Sequence, residues 1–394
     1  MSNLIQYVHE TAHLNFYDLE PNEVDALVLT ELSYLPFEDI VSPDFTKVRL
    51  FEVTERYFTK HGNKPTSVIV HQNRLNLLKA VAQSKRYKNI KVLAYRNEYD
   101  LDLQKQFAAV TFEWRPRHYH VAFRGTDDTI IGWKEDFHLT YMKTIPAQES
   151  ALSYLQTVIN HLSGQFSLSG HSKGGNLAVF AGSQIDEASR NNIESILTFD
   201  SPGLNQTILN TEGFLAQAEK IQTYVPQDSI IGMLLEMPTD AIIVKSKATG
   251  ILQHDTFSWV IRGEQFETVP ALTASSLQTK QAIKEWTDQL SEEDLKEFFD
   301  TFFGLFLDAG FERIGTFDLE NRQRFQTLLA NQKGLPIEQK ELMDRLSKQL
   351  VDGLIQARIP TKKAEAFGYL SEVKKDLEAK LHKNSLFSNR FTSR

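Results

Sequence analysis

Residues 165–176, QFSLSGHSKGGN, constrain this chain more than any other stretch. A short apolar run leads into Gly170-His171-Ser172-Lys173-Gly174, and a helix-forming run, residues 176–181, follows at once. Gly-x-Ser-x-Gly between a strand and a helix is the pattern of a nucleophile elbow, whose serine sits in a sharp, strained turn. Side chains at 170 and 174 would collide with the neighbouring strand and helix, which is why both are glycine. Such a turn lifts the Ser172 hydroxyl to the sheet edge. It also aims the first amides of the helix at the space where an oxyanion would form. A plain strand-to-helix turn capped by serine would show the same five letters. The context favours catalysis. Leu152, Leu155, Val158, Ile159 and Leu162 have helical spacing, so the order is helix, strand, elbow, helix, as a parallel sheet demands.

A serine hydroxyl is a weak nucleophile near neutral pH and needs a base, with a carboxylate to orient it. With a Gly-x-Ser-x-Gly elbow, the acid and then the histidine follow the serine. Only His254 and His382 lie after Ser172. His382 falls in the basic segment LEAKLHKNS, the setting of a solvated side chain, so His254 is the candidate base. For the acid, Asp200 ends SILTFDSPG and Asp228 ends KIQTYVPQDS. The acid is expected from the later strand, where Pro226 turns the chain out of the sheet, and this favours Asp228 over Asp200. Turn chemistry beside proline is the alternative for both. For the oxyanion, one donor should be the N–H of Lys173, the residue after the nucleophile. A second is expected from HYHVAFRGTDDT, where Gly125 permits close approach and Thr126 offers an amide and a hydroxyl.

These segments together resemble class 3 lipases. VAFRGTDDTIIGWKEDF is similar to their oxyanion loop, SGHSKGGNLA to their elbow, and LTFDSPG to their Thr-Phe-Gly-x-Pro segment. YVPQDSIIG lies where their catalytic Asp is found. The likeness is strongest to a bacterial group of uncharacterised lipase-like proteins in which Val-Pro-Gln-Asp-Ser and Gln-His-Asp recur. It spans about residues 23–262 and implies an α/β-hydrolase, with a mostly parallel central sheet flanked by helices. It implies Ser172, Asp228 and His254 as triad, Thr126 and Lys173 at the oxyanion hole, and hydrolysis of an ester or thioester. Two positions depart from the pattern. Lys173 replaces the usual Leu, and its ammonium either favours an anionic substrate or points away to pair with Asp127, Asp128 or Asp136. Asp200 replaces a Gly and keeps the assignment of the acid open.

A chain of 394 residues exceeds one ordinary core, and the composition changes after Gly263. The expected division is residues 1–263 as the lipase-like domain and 264–394 as an all-helical C-terminal extension. Strands are expected at 67–70, 91–95, 107–112, 119–123, 166–169, 193–199, 221–225, 241–245 and 256–261. Helices are expected at 23–32, 73–84, 151–162, 291–308, 318–331 and 337–356, with an irregular lead-in over 1–22 and a last charged helix after Pro360. The aromatic run FFDTFFGLFL, residues 298–307, reads as a core stripe that packs the extension onto the main domain. An acyl-chain wall, a lid or a membrane-touching face is the alternative.

The absence of cysteine excludes disulfides and thiolate chemistry, and no cofactor or metal is expected. A formal net charge of −8 argues against nucleic acid as partner. The first residues carry no secretory pattern and no stretch is apolar over a membrane span, so a cytoplasmic protein is expected. The expected partner is a small-molecule or lipid acyl ester, with peripheral membrane contact left open. The competing reading is a non-catalytic α/β-hydrolase scaffold that binds a protein or membrane surface through its C-terminal helices.

Overall fold

The computed structural model describes residues 2–67, 69–313 and 322–356. Eight strands form one sheet in chain order: β1 Val48–Arg49, β2 Lys91–Asp100, β3 Lys105–Arg115, β4 His118–Phe123, β5 Gln165–His171, β6 Ile193–Phe199, β7 Ile221–Pro226 and β8 Ala241–Val244. The β1–β4 pairs are antiparallel and the β4–β8 pairs are parallel. A two-stranded ribbon, β9 Ile261–Arg262 with β10 Gln265–Phe266, lies apart from this sheet. In chain order the helices are α1 Leu4–Glu10, α2 Glu23–Leu32, α3 Leu50–His61, α4 Gln72–Gln83, α5 Ile130–His138, α6 Pro146–His161 and α7 Lys173–Gln184. They continue as α8 Glu187–Arg190, α9 Gln206–Leu209, α10 Glu212–Gln217, α11 Ala274–Asp288, α12 Glu292–Asp308, α13 Arg322–Gly334 and α14 Ile337–Gln356. A mostly parallel sheet with helices on both faces and an elbow at the end of β5 is the α/β-hydrolase architecture, here with further helices after β10.

The period of two along each strand divides the core. On β3, Val110 and Phe112 face α1–α4, while Phe107 and Ala109 join the opposite layer with α6 and α7. A third apolar cluster joins Ile130 of α5 to Trp286, Leu295, Phe298, Phe299 and Phe303 of α11 and α12, and to α14 through Leu342 and Leu346. The aromatic run of α12 is therefore packing surface: Phe137 of α5 stacks on Phe299 at 4.4 Å. Ser291 caps α12 by accepting the Asp294 N–H at 3.0 Å. Among the described residues no helix is long and apolar enough to cross a membrane.

The structure corrects several expectations. Residues 67, 69 and 70 form bends, not a strand, and residue 68 lies outside the described residues. The expected strand at 256–261 is mostly a tight turn. Asp255 accepts the Phe257 N–H at 3.1 Å and the Trp259 indole donates to the Gln253 carbonyl at 2.9 Å, so local bonds outcompete the ladder. The lead-in contains α1, too short for periodicity but closed by a capping box between Asn3 and Gln6. The α5 helix was not anticipated either. The start of the 318–331 segment, the helix after Pro360 and His382 lie outside the described residues.

Two glycines test this packing. A Cβ on Gly170 would overlap the backbone of Gly174, whereas one on Gly304 in α12 meets nothing within 4 Å. Thermal melts are expected to show Gly170→Ala strongly destabilised. Gly304→Ala is expected to gain about 0.5–1 kcal/mol, because alanine restricts the unfolded chain and favours the helix.

Candidate active site

The site is built where β5 ends. Ser172 has φ 56° and ψ −136°, a left-handed backbone that a non-glycine residue adopts only when its surroundings impose it. Those surroundings are evident: the Ser172 N–H donates to the Phe199 carbonyl of β6 at 3.0 Å, and the Gly175 N–H donates to Ser172 O at 3.0 Å. Lys173 opens α7, so its N–H belongs to the first turn, where no intrahelical acceptor exists. On the other side, a Cβ on Gly125 would come within 3.1 Å of the Ser172 Cβ, which places the 125–126 loop against Ser172.

His254 closes the five-residue turn Gly250–His254. Its Nδ1 lies 2.7 Å from Asp200 Oδ2. Against the buried carboxylate, Nδ1 is the donor, which leaves Nε2 of the neutral ring as an acceptor. Asp200 is 1 % exposed, and its second oxygen accepts from Ser229 Oγ at 2.5 Å and the Gly232 N–H at 3.1 Å. The carboxylate is thus fully bonded and pre-aimed. Asp200 also has a positive φ of 42°, which turns its side chain off the end of β6. Among the described residues no hydrogen bond joins Ser172 Oγ to His254. The His254 ring lies against the residue before Ser172: the His171 and His254 rings are 4.4 Å apart between centroids.

Asp228, the acid expected from the sequence, is placed elsewhere. Its Oδ2 accepts the Gly250 N–H at 2.8 Å, its Oδ1 accepts the Thr273 hydroxyl at 2.6 Å, and its N–H donates to Gln253 Oε1 at 3.0 Å. It anchors the turn that carries His254, while Asp200 meets the imidazole. The physical reason is adjacency. β6 and β7 are paired neighbours, with Asp200 N–H bonded to Tyr224 O at 2.8 Å, so both acids end at the same place in the sheet and loop geometry selects between them.

Lys173 does not present its ammonium to a substrate. Its side chain is fully buried, and Nζ donates to Glu135 Oε2 at 2.8 Å, the Gln106 carbonyl at 2.9 Å and Gln106 Oε1 at 3.1 Å. The partner is thus Glu135 and not Asp127, Asp128 or Asp136 as expected; of those three, Asp136 comes within 3.9 Å. Thr126 turns its hydroxyl to Asp136, 2.6 and 2.5 Å from the two carboxylate oxygens. Burial pushes Asp136 up to about 6, against the pull of Lys173, the Thr126 hydroxyl and His254.

His171 is a support that sequence reasoning passed over, although it stands inside the elbow motif. Its Nε2 donates to the His254 carbonyl at 2.9 Å, so its Nδ1 must accept from the Tyr34 hydroxyl, also at 2.9 Å. Burial, reinforced by His254, holds His171 well below the ordinary imidazole range, which keeps it neutral. Behind it the Arg74 guanidinium lies 3.8 Å from the centre of the Tyr34 ring and pairs with buried Glu31 at 2.8 Å.

The profile of one protein family matches residues 81–304, more than half of the chain. The chain belongs to the Mbeg1-like family. No curated protein matches it. Among solved structures it is similar to M37 lipase, at 16 % identity and a TM-score of 0.33, covering 53 % of this chain and 69 % of that one. It is also similar to the native Rhizomucor miehei lipase propeptide complex, at 13 % identity and a TM-score of 0.34, covering 57 % of this chain and 68 % of that one.

Two predictions follow for this Mbeg1-like protein. Lys173→Met strands the buried Glu135 carboxylate and should cost about 3–5 kcal/mol in chemical denaturation. Adding Glu135→Gln removes the stranded charge and keeps an acceptor for one of the Gln106 and Ala147 amides, and should recover part of that loss. The second concerns Asp136, whose folded value near 6 exceeds the unfolded value of 3.8. Its charged form is disfavoured by folding, so the penalty is full above pH 6 and vanishes as pH falls through 4. The melting-temperature difference between Asp136→Asn and wild type should therefore be more favourable to the variant at pH 7.5 than at pH 4.

Proposed function

We propose that this chain is a serine hydrolase that cleaves a carboxylic ester or thioester through an acyl-enzyme. Ser172 is the nucleophile, His254 the general base and then general acid, and Asp200 the carboxylate that fixes the imidazole. Thr126 and Lys173 supply main-chain N–H donors to the oxyanion. The observation that carries this reading is the buried Asp200 carboxylate on Nδ1 of His254, beside a strained serine at the head of α7.

In the first step Ser172 Oγ attacks the acyl carbonyl while Nε2 of His254 takes its proton. Asp200 holds the imidazole in the Nδ1–H tautomer and stabilises the imidazolium that forms. The negative charge that develops on the carbonyl oxygen meets two amides fixed by the elbow and the 125–126 loop. Such a donor is worth roughly 3–4 kcal/mol in comparable sites. The imidazolium then protonates the leaving alcohol or thiol, and water repeats the sequence to release the acid. With the Lys173 cation consumed internally and Asp136 electrostatically coupled to His254, the site favours a neutral acyl group over an anionic one.

Fluorophosphonate labelling tests the reading. Wild type should label, and Ser172→Ala and His254→Ala should not. Asp200→Asn should slow labelling by about 10³–10⁴, the effect of leaving the histidine in the wrong tautomer. Asp228→Asn should slow it far less. The reverse order of the two aspartates would return Asp228 to the triad. An unlabelled wild type would favour the scaffold reading, for which the unformed bond between Ser172 and His254 is the supporting observation.

A further inference from the structure

The two turns that carry the triad are both tied to the start of α11, in the region after residue 263. Thr273, the N-cap of α11, donates its hydroxyl to Asp228 Oδ1 at 2.6 Å and its N–H to the Gln227 carbonyl at 2.8 Å. One turn on, Ser276 Oγ donates to the Ser229 carbonyl at 2.5 Å. Residues 228 and 229 pass these constraints to the triad by separate routes. Ser229 Oγ donates to Asp200 Oδ1 at 2.5 Å, while Asp228 holds both ends of the His254 turn through the Gly250 N–H at 2.8 Å and Gln253 Oε1 at 3.0 Å. Ser276, Ser229, Asp228 and Gln253 are all at most 5 % exposed, so water cannot replace a lost partner cheaply.

We propose that Thr273 and Ser276 are positioning residues for the Asp200–His254 pair, which makes the C-terminal helices part of the active site. The proposal rests on the serine-hydrolase reading above. Thr273 also accepts the Ser276 N–H, at 3.2 Å, as an ordinary helix cap would. A capping role alone predicts lost stability. The positioning role predicts lost turnover and a disturbed imidazole.

The test uses the full chain with Thr273→Val, Thr273→Ser and Ser276→Ala. Three readouts are taken: hydrolysis of a p-nitrophenyl acyl ester, thermal melting, and the downfield His254 Nδ1–H resonance, assigned by its absence in His254→Gln. Thr273→Val and Ser276→Ala should each lower kcat about tenfold or more with little change in KM, the scale expected for a slightly misplaced catalytic group. Both should weaken or broaden the resonance. Thr273→Ser, which keeps the hydroxyl, should restore rate and resonance. Folded variants with wild-type kcat and an unchanged resonance overturn the proposal, and so does Thr273→Ser behaving like Thr273→Val. If wild type hydrolyses nothing and takes no fluorophosphonate, the hydrolase reading fails. The resonance then decides positioning alone: lost in Thr273→Val and kept in Thr273→Ser supports it, unchanged in both overturns it.

Discussion

The positive φ of Ser172 is the constraint around which the rest of the chain is arranged. A strained backbone persists only where its neighbours leave it no alternative. β5 lies between β4 and β6 in parallel register, so the strand cannot slip without breaking two ladders. The helix α7, entirely buried over its first eleven residues, is pressed onto the sheet within the layer it shares with α6. Gly170 and Gly174 permit the close crossing that results, and the Ser172 N–H is bonded across to β6. Ser172 is therefore held by the whole sheet, and its orientation costs the local loop little.

Beneath this elbow the fold spends charges where apolar side chains would serve stability as well. Lys173 joins α7 to β3 and α5, and Arg74 joins α4 to Glu31 of α2. Arg86 joins the loop after α4 to Asp25 of α2, with the Tyr7 and Tyr87 hydroxyls on the same carboxylate. Each pair links elements distant in sequence, and each carboxylate is bonded by more than one donor. What these ties supply is a fixed placement of helices around the site. The Glu135 carboxylate illustrates this. It accepts Lys173 Nζ and the Gln106 and Ala147 amides, and so sets α5 against the sheet edge and the start of α6.

Much of the frame was legible in the sequence, and the reasons are physical. The elbow is a local steric demand with few sequence solutions, so its glycines and serine read directly. Strands β3 to β7 announce themselves because burial on two faces leaves apolar runs bounded by turn residues. The choice between Asp200 and Asp228 was not legible. It turns on the φ of one residue and on which loop caps which carboxylate, and neither leaves a periodic trace. His171, Tyr34 and Thr273 were invisible for a related reason: their roles are contacts across more than eighty residues or through a neighbour's side chain. The helix α1 and the turn at 256–258 failed where short-range hydrogen bonds overrode pattern.

The helices after β10 are bound to the frame around Ser172 and His254 on both sides, and the two attachments differ in their balance of apolar and polar contact. On the oxyanion side the grip is broad: α12 buries Phe298, Phe299 and Phe303 against α5, and Lys134 pairs with Asp300 at 2.7 Å. There the Ile130 N–H also donates to the Glu312 carbonyl at 2.8 Å, and Arg313 pairs with Asp128 two residues beyond Thr126. On the histidine side the grip is a few directed hydrogen bonds from the first turn of α11. Apolar contact is tolerant of small displacements, whereas a buried hydrogen bond has one good geometry. The 126–138 segment is therefore held by apolar area together with polar ties, and the Asp200–His254 pair by hydrogen bonds alone. That division suits the proposed chemistry, in which main-chain amides need only a stable loop but proton transfer at His254 would need an aimed ring.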